Sequence, residues 1–247
     1  MKKLLWIPLL TLACQPAKKE SAYSAPDHHT KTMTAILDAH GGYQRWSEMN
    51  TLSYELEGEK QVISLKDRKV LITGKDRTIG FDGTNVWVTP DTADVSRARF
   101  YHNLYFYFFA MPFVLGDPGI TYEPVDSRDF QGEQLEGIKV SYKSDVGDSP
   151  DDNYILWYDP SSYQMKWLMY TVTYGKEGPN DNYSLIHYAD WKDFSGLKLP
   201  TQLEWHAYKN DSIGEVRGGA SFNNIELTQE APSADLFEMP AGAQIAP

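Results

Sequence analysis

From residue 51 onward the chain alternates. Leu52, Tyr54 and Leu56 stand apolar among polar neighbours, and Ile63 and Leu65 alternate with Val62, Ser64 and Lys66. A period of two is the mark of a strand with one covered face. Further strand-like runs occupy residues 69–73, 77–81, 85–89, 120–125, 135–142, 154–158, 164–174, 183–191, 199–208 and 215–227. Turn signals separate most of them: Lys66-Asp67-Arg68, Asp82-Gly83, Asp159-Pro160, Gly178-Pro179-Asn180, Ser195-Gly196 and Asn210-Asp211. About eleven short strands joined by tight turns predict a mainly β fold with few helices. The expected architecture is one large curved antiparallel sheet, a half-barrel, with one face kept covered.

Two segments break the alternation. Met33, Ile36, Leu37 and His40 fall at i, i+3, i+4 and i+7, one stripe of an amphipathic helix, and Gly41-Gly42 ends it. Residues 43–49 add a further turn. The second segment, residues 100–115, reads FYHNLYFYFFAMPFVL and is interrupted only by His102, Asn103 and Pro112. Phe100, Leu104, Phe108, Met111 and Leu115 make one helical stripe, and Tyr101, Tyr105, Phe106 and Phe109 cover the rest. Asp94 and Ser96 can cap such a helix, Pro112 limits its end, and residues 116–119 turn the chain.

A helix that is greasy nearly all round is buried in protein or in contact with lipid, and this one falls short of the roughly 20 residues a membrane span needs. In one reading it plugs the concave face of the sheet and is the core. In the other, helix and sheet enclose a cavity for an apolar ligand, with Phe106, Phe109, Met111 and Phe113 as contacts and Trp87 and Trp157 added from strands. The same residues serve both readings, so both stay open at this level.

The first residues carry a different message. Met1-Lys2-Lys3 is cationic, and residues 4–13 are uncharged. Ten residues rise about 15 Å as helix, half a bilayer core, which describes a secretory signal rather than a span. Cys14 follows Ala13 directly, and this arrangement resembles a bacterial lipoprotein signal, although Thr11 stands where an aliphatic residue is usual. The resemblance implies removal of residues 1–13 and acylation of Cys14, with palmitate-like chains as the membrane anchor. Gln15, in place of an inner-membrane retention Asp, implies the outer membrane, facing the periplasm. Residues 14–29 then read as a flexible linker, with His28 and His29 solvated, and residues 30–247 as a single domain.

Composition narrows the chemistry. Lys and Arg number 23 against 34 Asp and Glu, a net charge of −11, which offers nothing to a nucleic-acid backbone. A single cysteine excludes internal disulfides, thiolate zinc clusters and C-x-x-C redox chemistry. No G-x-S-x-G, H-E-x-x-H, Walker or G-x-G-x-x-G motif is present. Gly147-Asp148-Ser149 lacks a late Asp-x-x-His partner, and Asp145, Asp148, Asp151, Asp152 and Asn153 lack the spacing of a calcium loop. His40, His102, His187 and His206 show no ligand spacing, and His187 and His206 read as ordinary strand residues. No catalytic residue, metal or cofactor is expected, and the chain is not read as an enzyme.

The strands carry a family likeness. His40-Gly41-Gly42 closes the first helix, Tyr158-Asp159-Pro160 precedes Gln164-Met165-Lys166, and Gly196-Leu197-Lys198-Leu199-Pro200 follows. Leu236-Phe237-Glu238-Met239-Pro240-Ala241-Gly242-Ala243 ends the series. That order is similar to the periplasmic lipoprotein-carrier and outer-membrane lipoprotein-sorting superfamily, and with the lipoprotein start it looks closer still to an uncharacterised branch of bacterial envelope lipoproteins. The resemblance implies a half-barrel around helices that lid an apolar cavity. Soluble carriers of that superfamily are not lipidated, so an anchor at Cys14 argues against free shuttling. The functional expectation is a membrane-anchored envelope lipoprotein binding a lipid or acyl chain on the concave face. The alternative is a protein-interaction or sensor module with a solidly packed interior and an unknown protein partner.

Overall fold

The computed structural model describes residues 24–142, 153–172 and 182–247. The signal segment, Cys14, the first part of the linker and nearly all of the acidic loop lie outside the described residues. Helix α1 (Lys31–Ala39) begins where Thr30 accepts the backbone N–H of Met33 at 3.2 Å, and it buries Met33, Ile36 and Leu37. It ends as the sequence predicts. Gly41 has a φ of +107°, and any Cβ there would strike the carbonyl oxygen of Gly196. After α2 (Tyr43–Glu48) come β1 (Thr51–Leu56), β2 (Glu59–Ser64), β3 (Val70–Thr73), β4 (Thr78–Phe81) and β5 (Val86–Thr89). Two short helices, α3 (Ala98–Tyr101) and α4 (Leu104–Phe109), lead through a 3₁₀ turn at Phe113–Gly116 into the second half. That half holds β6 (Ile120–Phe130), β7 (Glu133–Tyr142), β8 (Asn153–Tyr158), β9 (Met165–Tyr170), β10 (Ser184–Phe194), β11 (Leu197–Lys209) and β12 (Ser212–Ser221). Strand β13 (Asn223–Thr228), a 3₁₀ turn at Ala234–Phe237 and β14 (Gln244–Ile245) complete the chain.

The strands form an open, antiparallel wall, mainly β with few helices, as the alternation predicts. Two details differ. Among the described residues there are fourteen strands, and they divide into two seven-stranded sheets, ordered β13-β1-β2-β3-β4-β5-β14 and β12-β11-β10-β9-β8-β7-β6. The run at 215–227 is not one strand. It breaks at Phe222, which is 3% exposed and packs on Tyr54 and Phe109 with ring centroids 5.1 and 4.4 Å away. The chain leaves the second sheet as β12 and joins the first as β13. A buried aromatic at the hinge gives the core something to hold while the backbone changes partners.

The aromatic segment is a correction of a different kind. One sixteen-residue helix is expected; the structure has α3, α4 and a 3₁₀ turn in sequence. His102 and Asn103 divide the first two: the His102 ring is bonded to the carbonyl of Arg99 at 2.5 Å, and Asn103 leaves helical geometry with ψ near −2°. Pro112 has no N–H to continue the ladder and starts the 3₁₀ turn instead. The cap also differs. Asp94 accepts from Ser96 N and Oγ in a local turn, and Arg97, the residue before α3, supplies no side-chain cap. Burial is as the composition demands. Phe109 and Phe113 are fully covered, and Phe106 and Met111 nearly so. Each such side chain contributes about 1.5–3 kcal/mol relative to exposure, so this segment is a major part of the core.

Candidate functional site

The aromatic segment lies between the inner faces of both sheets and against α1 and α2. Phe113 stacks on Trp46 at 4.8 Å with planes 10° apart, and Phe109 meets Tyr54 at 5.0 Å. Phe108 meets Tyr170 at 4.8 Å and Trp205 at 5.9 Å. Its backbone is tied down by two tyrosines: Tyr188 donates to the carbonyl of Phe108 at 2.9 Å, and Tyr122 donates to that of Leu115 at 2.6 Å. Each satisfies a carbonyl at the end of a helical turn, where no intrahelical donor remains.

At the rim the segment meets charge. Arg68 lies over the Phe106 ring at 5.2 Å and pairs with Asp117 at 2.6 Å. Burial pushes the Asp117 carboxyl above its usual range, and the Arg68 charge opposes that. His28 and His29 are not simply solvated: both direct Nε2 at the carbonyl oxygen of Gly116, at 2.9 and 2.8 Å, using its two lone pairs. Burial lowers the His29 pKa. The end of the linker is thus fastened where the aromatic segment ends. On the other side, His40 bonds the carbonyl of Ile36 through Nδ1 at 2.7 Å and accepts the N–H of Met165 on Nε2 at 3.4 Å. Desolvation holds its pKa at about 4, so the ring is neutral and structural at physiological pH.

The six predicted contacts do not share one surface. Phe106, Phe109, Met111 and Phe113 belong to the main core. Trp87 and Trp157 sit on the opposite faces of their strands, because Val86 and Val88, and Leu156 and Tyr158, take the inward positions. Each tryptophan lies over a glycine on the neighbouring strand, Trp87 opposite Gly80 and Trp157 opposite Gly137. A Cβ at either glycine would run into the indole. Trp87 donates Nε1 to the carbonyl of Phe237 at 3.1 Å, so the C-terminal segment covers it. Trp157 joins Phe130, Leu135, Trp167, Met169 and Leu185 in a second apolar cluster on the outer face of the second sheet.

Along that outer face the register sets a row across four strands: Trp157 opposite Trp167, Trp167 opposite His187, and His187 opposite Glu204. His206 lies two residues beyond Glu204 on the same face. His187, Glu204 and His206 bring one ligand-type atom each within 4.8 Å of one another. Sequence spacing hides this trio, but counting back from the turn at Ser195-Gly196 places Glu204 across from His187.

Two open clefts lie on the surface of the described residues. One of about 1030 Å³ runs between the α1–α2 junction and the end of β13, with Asp38, Arg45, Glu48 and Glu230 on its walls. The other, of about 400 Å³, lies between the β4–β5 turn and Phe237 to Met239. Both are mainly polar, unlike an acyl-chain site. No helix among the described residues is long and apolar enough to cross a membrane.

The fold recurs in solved structures. The LolA superfamily protein NE2245 from Nitrosomonas europaea matches with a TM-score of 0.51 at 10% identity, over 85% of this chain and 99% of that one. A DUF1329 family protein from Desulfovibrio piger matches at 0.46 and 12% identity, over 85% and 98%. A putative outer membrane lipoprotein-sorting protein domain from Vibrio parahaemolyticus matches at 0.41 and 9% identity, over 81% and 95%. The likeness to the LolA superfamily protein makes the architecture LolA-like, as the sequence likeness implies. No protein of curated function matches the sequence. A family model spans residues 86–211, from β5 through the aromatic segment to the end of β11. The chain belongs to that family, DUF6503, a family of unknown function.

Proposed function

We propose that this chain is a non-enzymatic envelope lipoprotein, anchored through Cys14 in the outer membrane and facing the periplasm. It binds a lipid or acyl chain in the hollow between its sheets when the aromatic segment moves aside. The observation that carries the reading is the make-up of that segment. It is a run of apolar side chains that fills the hollow, yet its backbone is only two short helices and a 3₁₀ turn, divided at His102–Asn103 and Pro112. Such pieces hold few hydrogen bonds of their own and depend on packing, so an apolar chain that takes their place must supply the packing they give up. Phe106, Phe109, Met111 and Phe113 are the contacts that would pass from packing against the sheets to packing against the ligand. Trp87 and Trp157 leave the proposed set, because they face outward.

The anchor bears on the same place. His28 and His29 are fastened to Gly116, at the end of the aromatic segment. The fifteen residues from Cys14 to His28 reach at most about 50 Å when extended. The opening would then be held near the bilayer that supplies the ligand. A second reading, a docking module with a permanently solid interior, draws on the full burial of Phe109 and Phe113. Native mass spectrometry of the lipoprotein extracted from membranes separates the two. Lipid bound beyond the covalent anchor supports the first reading, and bare protein across mild detergents supports the second.

A further inference from the structure

The outer face of the second sheet holds a polar group that its surroundings do not satisfy. The His206 side chain is only 10% exposed, and its Nε2 has no hydrogen-bond partner among the described residues. Its Nδ1 lies 3.1 Å from the carbonyl oxygen of Gly214. A carbonyl can only accept, so Nδ1 carries the hydrogen and Nε2 of the neutral ring presents a bare lone pair. That lone pair stands 4.0 Å from Oε2 of Glu204, a second electron-rich atom. His187 brings Nδ1 to 3.1 Å from the same oxygen. The other carboxylate oxygen, Oε1, accepts from Gln202 at 3.2 Å, which fixes the plane of Glu204. Trp167 walls the cluster, with its ring centroid 4.4 Å from His187 and 5.0 Å from His206.

We propose that His187, Glu204 and His206 bind a divalent first-row transition-metal ion, with zinc the suited probe. A buried ring nitrogen left unpaired is costly, and a cation between Nε2 and Oε2 removes that cost. Ligand atoms about 2.0–2.2 Å from zinc stand roughly 3–3.5 Å apart, so the 3.1 Å gap already fits and the 4.0 Å gap needs a shift of under an ångström. Two imidazoles with one carboxylate select zinc and its neighbours over calcium or magnesium, which take oxygen sets. The Gly214 carbonyl on Nδ1 and Gln202 on Glu204 are the supporting contacts that orient metal ligands. His187 and Glu204 are each about a third exposed, which leaves room for water or an outside donor at the remaining positions. Binding shifts the His187 hydrogen from Nδ1, where it bridges to Glu204, to Nε2, which leaves Nδ1 free to ligate. The site is on the face opposite the aromatic segment and does not depend on the ligand reading above.

Equilibrium dialysis of the full chain against Zn²⁺ near neutral pH, with metal counted by atomic absorption, tests it. A His28→Ala/His29→Ala background removes the other paired histidines. The expected result is one zinc per chain in that background, and a loss of more than about tenfold in affinity in His206→Gln and in Glu204→Gln. Co²⁺ in place of zinc gives a visible d–d absorption that the same variants abolish. Glu204→Gln keeps the shape of the side chain and serves if His206→Gln fails to fold. No saturable zinc in the background protein, or equal binding by a folded Glu204→Gln variant, overturns the proposal.

Discussion

Tyr188 donates its hydroxyl to the carbonyl of Phe108 at 2.9 Å, from the strand position next to His187. Adjacent residues of β10 thus serve opposite faces: one fastens the aromatic segment from inside, and the other stands in the polar cluster outside. Tyr188→Phe removes only the donor and leaves the Phe108 carbonyl buried and unpaired. Urea unfolding should show a loss of about 1–3 kcal/mol. An unchanged midpoint would mean that this bond does not hold the segment.

Phe109→Ala should cost about 3–5 kcal/mol, since the ring is fully buried between Tyr54 and Phe222. The same variant opens space in the hollow, so it should bind a fluorescent fatty acid more tightly than the parent chain. Unchanged binding would place the ligand elsewhere.

His40 makes stability depend on acidity. Its pKa is about 4 when folded and near 6.5 when unfolded, so the unfolded chain binds more protons between those values. Its contribution is fully present above about pH 6.5 and is lost as pH falls toward 4, amounting to about 3 kcal/mol. In His40→Gln, urea midpoints should change less between pH 7 and 4.5 than in the parent. Parallel curves for the two chains would rule out this account of His40.

Cys14→Ser should release the protein from membranes into the soluble fraction, because the anchor is then absent. Retention of the variant after carbonate washing would show that another surface holds the bilayer.

Much of this fold is written in alternation that any reader of the chain can follow. Leu52, Tyr54 and Leu56 point inward because their neighbours are polar, and Gly41-Gly42 stops α1 because few other residues accept its geometry. What stays hidden has a physical reason. Val86-Trp87-Val88 and Leu156-Trp157-Tyr158 are apolar on both faces, so a period of two cannot say which side is the core, and both tryptophans turn out to face away from it. Phe222 continues an apolar run without a break, so nothing local announces the change of sheet. The aromatic segment is legible as buried but not as divided, since His102, Asn103 and Pro112 act through backbone hydrogen bonds rather than through hydropathy. The His187, Glu204 and His206 cluster needs the register, which only the turn at Ser195-Gly196 supplies.

Hydrogen exchange over residues 98–116, followed by mass spectrometry with and without saturating oleate, tests the displaceable segment most directly. Those amides should exchange faster in the presence of oleate, with β3 and β10 unchanged. Exchange over 98–116 that is identical with and without the fatty acid would contradict it.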